Sequence, residues 1–206
     1  MPRRLTRWSA SLAGALALLV GAAAPAGAAA VPVSGSFTGT GTLVGSIECP
    51  TGERLGTSSD STGDLGALGP AEIHLVICLD QAVSPTNFST FGSFTLTGGG
   101  GSISGDVTGT NEANKPLPGP WPFDLTLTVT SGTGDFAGAA GSLHAVGDLR
   151  PFFTVSGTLD GTITVPPNTP GARDDCRNGG WHGFEDGSGV PFRNQGECIA
   201  WVNHNT

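Results

Sequence analysis

The 206-residue sequence has no tyrosine, and its only lysine is Lys115. The sequence contains nine basic and 17 acidic residues. Three of the nine, Arg3, Arg4 and Arg7, lie in an N-terminal segment that we expect to be removed, and the rest of the chain then carries a net charge of −11. Because an acidic surface repels phosphate groups, we exclude nucleic-acid binding.

The sequence also lacks a long hydrophobic run after its N-terminus. The apolar run at residues 12–24 follows the three arginines and is shorter than the roughly 20 residues that a membrane-spanning helix needs, which argues against a membrane anchor. It ends in small residues, with acceptable cleavage signals at 26–28 and 28–30. We therefore predict a signal peptide at residues 1–30, a secreted protein, and no membrane span after cleavage.

Cysteine is scarce but even in number. An even count in an exported chain predicts two disulfides, and of the three possible pairings the division of the chain favours Cys49–Cys78 and Cys176–Cys198. The sequence has no Cys-x-x-Cys, and its histidines lie far from the spacing of zinc ligands. We expect no metal site and no cofactor.

Glycine is abundant, with 34 residues, and residues 31–166 show apolar and Ser/Thr positions in alternation. This period of two predicts β-strands and no helix. We read the segment from Gly52 to Gly69 as a long surface loop. The predicted strands lie near 33–47, 70–80, 86–97, 101–111, 122–131, 141–148 and 151–165.

The fold class is therefore all-β, an antiparallel barrel of about seven or eight strands, with a β-sandwich as the alternative. Glycines such as Gly39, Gly105 and Gly157 fall on the apolar faces of the strands. Small residues allow a sheet to coil and close, which favours the barrel.

A different composition follows the barrel. Residues 167–173 form a Pro/Gly linker, and residues 174–206 form a separate module whose cysteines enclose a Trp- and Phe-rich segment. A unit this small cannot fold on hydrophobic burial alone, so we expect the disulfide to close a mini-core. Its expected members are the aromatic residues Trp181, Phe184, Phe192 and Trp201.

The segment Ser131–Gly141 reads Ser-Gly-Thr-Gly-Asp-Phe-Ala-Gly-Ala-Ala-Gly. It resembles a Gly-Thr-Gly-x-Phe-x-Gly-Ala-x-Gly stretch of the dirigent and allene oxide cyclase barrel family, and the likeness extends to about residue 165. The resemblance implies a barrel. In our physical interpretation of the motif, Phe136 is a wedge that can plug one end of that barrel. The resemblance also implies, as one possible function, an enzyme that acts on a small apolar substrate inside the barrel.

The tail carries a second pattern, Cys-Arg-Asn-Gly-Gly-Trp followed by Phe-Arg-Asn-Gln-Gly-Glu-Cys. It resembles a short C-terminal module of secreted actinobacterial proteins, in which lysine replaces the arginines. The heavy use of alanine, glycine and arginine is typical of the same source. No activity follows from this resemblance.

The residues themselves favour a protein without enzymatic activity. The candidate ionisable groups of the barrel are Asp80, Asp106, Asp124, Asp148, His74 and His144, and the alternation places most of them outside. We identify no catalytic residue. The expected role is that of a binding or cell-surface protein, whose partner is a small apolar ligand or a cell-wall component, and a dirigent-like or cyclase-like enzyme is the alternative.

Overall fold

The computed structural model describes residues 28–44, 56–84, 87–112, 119–150 and 154–205. Eight antiparallel strands follow one another around a closed barrel, in which the last strand pairs with the first. They are β1 (Ala29–Val44), β2 (Gly56–Gly66), β3 (Pro70–Ser84), β4 (Asn87–Gly98), β5 (Gly101–Asn111), β6 (Trp121–Gly134), β7 (Ala140–Arg150) and β8 (Thr154–Val165). The predicted antiparallel barrel is confirmed, and the sandwich is excluded because no sheet edge stays unpaired.

The expected surface loop from Gly52 to Gly69 is wrong for most of its length, because residues 56–66 form β2. Its inner face carries Ser59, Ser61, Gly63 and Leu65, which gave almost no apolar signal in the sequence. The strand is held by its pairing with β1 and β3 on both sides. Its hydrogen bonds come from its neighbours, so a weakly apolar sequence is sufficient.

The inner wall of the barrel is one apolar cluster that receives side chains from all eight strands. The alternation read from the sequence matches it closely, since Phe123, Leu125, Leu127 and Val129 are all buried on β6. The intervening residues of β6 face outward and are exposed. This pattern is the expected signature of a sheet with one dry face and one wet face.

The C-terminal module has little regular structure. It contains a short 3-10 helix at Gly180–Gly183 and one α-helix, α1 (Gln195–Asn205), which the sequence analysis did not predict. A disulfide joins Cys176 to Cys198 and confirms that expected pair. Cys78 is disulfide-bonded as well. Cys49 lies outside the described residues, so the pairing Cys49–Cys78 stays a prediction.

Buried side chains of the module surround this disulfide. Phe192 and Val202 are buried beside it, and the partly buried Trp181, Phe184 and Trp201 pack against them. Phe192 and Trp201 meet edge to face, with ring centroids 6.1 Å apart. The expected aromatic mini-core is present.

Across the described ranges, no helix combines the length and the apolar character needed to cross a membrane. The predicted signal peptide lies almost entirely outside those ranges. β1 begins at Ala29, so its first two residues, Ala29 and Ala30, fall within the range predicted for the signal peptide.

Candidate functional site

The two ends of the barrel are built differently. At one end, which we call the turn end, short turns join β2 to β3, β4 to β5 and β6 to β7. At the other end, which we call the loop end, the connections include residues 45–55, 85–86, 113–118 and 151–153, which lie outside the described residues. The chain leaves β8 for the C-terminal module at the turn end, so the module and the loop end lie on opposite sides of the barrel.

The turn end is closed by buried apolar side chains. Leu68, Phe136 and Ala139 belong to the turns, yet each is at most 6% exposed and packs in the barrel core. The ring of Phe136 lies against Gly99, in the turn between β4 and β5. Phe136 therefore plugs this end, as we expected from the residues of the motif.

The middle of the barrel is filled by two stacked rings. The centroids of Phe37 and Phe123 lie 6.5 Å apart, with their planes at 22°. In the cross-strand register, Gly147 and Gly157 stand between them, in the order Phe123, Gly147, Gly157, Phe37. The two glycines leave the space that the rings occupy, so the rings form a floor beneath the loop end.

The inner wall becomes polar toward the loop end. Ser59, Thr90 and Asn111 are 5–7% exposed, and they form the group that we call the polar mouth. Ser59 donates a hydrogen bond from its hydroxyl to the carbonyl of Leu75 at 3.5 Å. Asn111 stands directly across from Phe123 in the register of β5 and β6, at the edge of the aromatic floor.

Two oxygens of the polar mouth have no hydrogen-bond partner among the described residues, Thr90 Oγ1 and Asn111 Oδ1. A buried polar atom in this condition costs about 1–3 kcal/mol, and native proteins keep few of them. An apolar residue at either position would avoid this cost. Each of the two oxygens can therefore accept a hydrogen bond that no described residue supplies.

No ionisable side chain belongs to the buried set of the described residues, whose polar members are Ser59, Ser61, Thr90 and Asn111. Asp106, Asp124 and His144 are exposed and Asp148 is half-buried, so none of these candidates lies in the core. The side chain of Asp80 lies outside what the structure describes. Ser59, Thr90 and Asn111 can give or accept hydrogen bonds. Glu112, which follows Asn111 at the loop end, has a buried carboxylate oxygen, Oε2.

Both histidines of the barrel pair with carboxylates on its outer face. His74 Nδ1 lies 2.8 Å from Asp60 Oδ1, and His144 Nε2 lies 2.8 Å from Asp124 Oδ1. Each pair joins adjacent strands, and all four side chains are about half exposed or more. Exposed pairs of this kind contribute less than about 1 kcal/mol, which identifies them as surface contacts of the sheet.

The first of these pairs lies in a groove of about 440 Å³ on the outer face of β1 to β4, whose lining includes five threonines. Its two carboxylates are Asp60 and Glu72. With His74 half exposed, water screens the pair. The lining of the groove therefore offers hydroxyl groups and negative charge.

The loop of the C-terminal module is ordered by one acid. Asp186 accepts hydrogen bonds from the Ser188 hydroxyl at 2.6 Å and from the amides of Ser188 and Val190. These hydrogen bonds, that of the hydroxyl first, lower the pKa of Asp186 below its usual value. Asp186 therefore stabilises the turn of this loop. Within the described ranges we find no group of three metal-ligating side chains.

The sequence analysis missed Thr90 and Asn111. The sequence did contain a pattern that indicates both residues, because each continues the alternation of inward-facing positions along its strand. Thr90 precedes Gly92 and Phe94 in steps of two, and Asn111 follows Val107 and Gly109 in the same way. Both could have been identified as polar residues at positions where the alternation of the strand calls for an apolar, inward-facing side chain.

A comparison with known protein families found no match, and a comparison with curated proteins found none either. Among solved structures, this chain is similar to a pterocarpan synthase dirigent protein. The similarity has a TM-score of 0.47 at 12% sequence identity, and it covers 76% of this chain and 99% of that one. The activity of that protein is not transferred to this chain.

Proposed function

We propose that this is an exported, non-enzymatic barrel protein that binds a small, mostly apolar ligand at its loop end. The observation that carries the proposal is the pair of buried oxygens, Thr90 Oγ1 and Asn111 Oδ1, beside a floor of aromatic rings. Binding sites for small molecules are typically apolar surfaces with a few well-placed polar groups. The polar mouth has that composition.

The chemistry of the mouth limits the ligand. Phe123 and its neighbours favour an apolar body, because they offer no hydrogen bond. The neutral side chains of Thr90 and Asn111 suit an amine, amide or hydroxyl group of the ligand. A carboxylate or phosphate would need a cation, and the inner face of the described strands carries none.

The alternative is a dirigent-like or cyclase-like enzyme. The closed eight-stranded barrel and the glycine-rich turn before β7 favour it. Acid–base chemistry in the barrel would require at least two converging ionisable side chains. Since the inner wall of the described strands supplies none, binding is the function that we propose.

Export is the second part of the proposal. The basic and apolar N-terminal segment supports it, and so does the Cys176–Cys198 disulfide, because disulfides of this kind persist in oxidising compartments. The C-terminal module would then act outside the cell, where it could contact a wall component.

The binding proposal is tested with phenylnaphthylamine, a neutral apolar fluorophore that carries one N–H donor. We expect saturable binding by the wild type, and affinities roughly 2–10-fold weaker in Asn111→Leu and Thr90→Val, because each variant removes one hydrogen-bond partner. Thermal unfolding of both variants should occur at the wild-type temperature or above it, since a costly buried oxygen is gone.

The matched control is Thr108→Val, which removes a hydroxyl from the exposed outer face of β5. It should bind the fluorophore as the wild type does. Equal affinities for Asn111→Leu, Thr90→Val and Thr108→Val would show that the polar mouth is not the binding site.

A further inference from the structure

A second concave surface lies at the turn end, between the barrel and the C-terminal module. This junction groove has a volume of about 750 Å³. Its walls come from four parts of the chain, namely the start of β1, the turn between β6 and β7, the linker after β8, and the module loop that contains Glu185. Ala29 and Val31 both line it.

The start of β1 is fixed in this wall by regular pairing. Ala29 pairs with Val165, and Ala30 pairs with Thr164, at the end of β8. The linker then turns at Pro166 and reaches Asn168, three residues beyond the partner of Ala29. The first residues of β1 and the linker therefore lie side by side in the groove.

Glu185 is tied to the same linker. Its amide donates a hydrogen bond to the Asn168 carbonyl at 2.8 Å, and the side-chain amide of Asn168 donates to the Gly183 carbonyl at 2.9 Å. This double contact fixes the backbone of Glu185 close to the end of β8. Glu185 and Ala29 therefore both line the junction groove.

The charged residues that line the junction groove are all acidic. Asp135 and Glu185 line it, and no lysine, arginine or histidine is among its lining residues. The Asp135 carboxylate lies against Gly100, in the turn between β4 and β5. Glu185 is the second acidic residue of the groove, and no basic residue lines the groove beside it.

We propose that export cleaves the bond between Ala28 and Ala29, and that the α-ammonium group so released on Ala29 pairs with Glu185. This inference rests on the export proposed above. A signal peptidase supplies the hydrolysis: water adds across the peptide bond, the Ala28 carbonyl leaves as a carboxylate on the leader, and the Ala29 nitrogen takes a proton. The new cation is the one that the groove lacks.

The pairing of β1 favours a signal peptide that ends at Ala28, two residues before the end of the predicted range 1–30. Cleavage after Ala30 would remove Ala29 and Ala30, and with them two cross-strand pairs between β1 and β8. Cleavage after Ala28 keeps all of β1. Processing at Ala28 would also fasten the C-terminal module to the barrel, because Glu185 belongs to the module and Ala29 to the barrel.

The first measurement is the N-terminal mass of the chain secreted by a host that processes signal peptides. A chain that begins at Ala29 supports the proposal. A chain that begins at Val31 overturns it while leaving export intact. A secreted chain that retains its leader, or a chain that is not exported, overturns both the export proposal and this one.

The second measurement is the pKa of the Ala29 amine in that secreted protein, followed by NMR after labelling with ¹³C-formaldehyde as the dimethylamine. The ordinary pKa of an α-amine is about 7.7–8.0, and a nearby carboxylate should raise that pKa because it favours the charged form of the amine. Glu185→Gln should return it to the value of an unpaired, dimethylated terminus. Asp174→Asn, which changes a module carboxylate outside the groove, should leave it raised.

A pKa that is ordinary in the wild type and unchanged by Glu185→Gln would overturn the ion pair. Fluorophore binding at the loop end tests the other proposal independently, since the junction groove lies at the opposite end of the barrel. The two proposals can therefore fail separately.

Discussion

At some positions of the inner wall, the packing of the barrel leaves room only for glycine. A methyl group added to Gly147 would lie 2.6 Å from Cζ of Phe123 and 2.8 Å from the Gly157 Cα atom. Both distances are shorter than van der Waals contact, and the stacked ring cannot retreat because Phe37 lies behind it. We expect Gly147→Ala to lower the free energy of unfolding by about 1–3 kcal/mol, measured by urea denaturation.

The control for this substitution is Gly183→Ala in the C-terminal module, where the added methyl would meet no atom within 4 Å. Its free energy of unfolding should stay within about 0.5 kcal/mol of the wild type. If the two alanine variants were equally stable, the rings would not fill the barrel as tightly as their positions indicate.

At the scale of elements, the sequence predicted those strands whose inward-facing residues are apolar. β6 and β8 were evident because large apolar residues alternate with threonine or aspartate. β2 was missed because its inner residues are serine and glycine for most of its length, and neighbouring strands supply its order. α1 was missed because it has only a narrow buried side, formed by Cys198 and Val202.

The C-terminal module should depend on its disulfide as a unit. The bond closes a loop between residues 22 positions apart, which in the chain-entropy model stabilises the folded module by about 3 kcal/mol. We expect replacement of both Cys176 and Cys198 by serine to speed amide hydrogen exchange across residues 174–205, followed by mass spectrometry. The barrel strands should keep their protection.

Ala200→Ser is the matched control, because it adds a hydroxyl to an exposed position of α1 and leaves the disulfide in place. It should exchange as the wild type does. A rise in exchange that reached the barrel strands in the serine variant would show that module and barrel unfold together.

At the scale of the whole molecule, the sequence determined more about the scaffold than about the site. Closure into a barrel was predictable, because glycines such as Gly105 and Gly157 lie in the apolar phase of their strands. The polar mouth was not, because Thr90 and Asn111 come together only through the register of β4 and β5. Register depends on which strands become neighbours, and a single strand does not contain that information.

The same geometry places the C-terminal module and the polar mouth at opposite ends of the barrel. The C-terminal module follows β8 at the turn end, whereas Thr90 and Asn111 line the inner wall near the loop end. Deletion of residues 174–206 should therefore leave the affinity for phenylnaphthylamine within about twofold of the wild type, measured by fluorescence titration. A large loss of affinity would mean that the module supports the mouth across the length of the barrel.

The deletion also tests what the module does outside the cell. If it contacts a wall component, the shortened chain should move from the wall fraction to the medium, measured by immunoblot of the two fractions. The Asn111→Leu variant is the control, because it alters the opposite end and should partition as the wild type does. An unchanged partition after deletion would exclude the module as the attachment to the wall, while the binding of apolar ligands would still be assigned to the barrel.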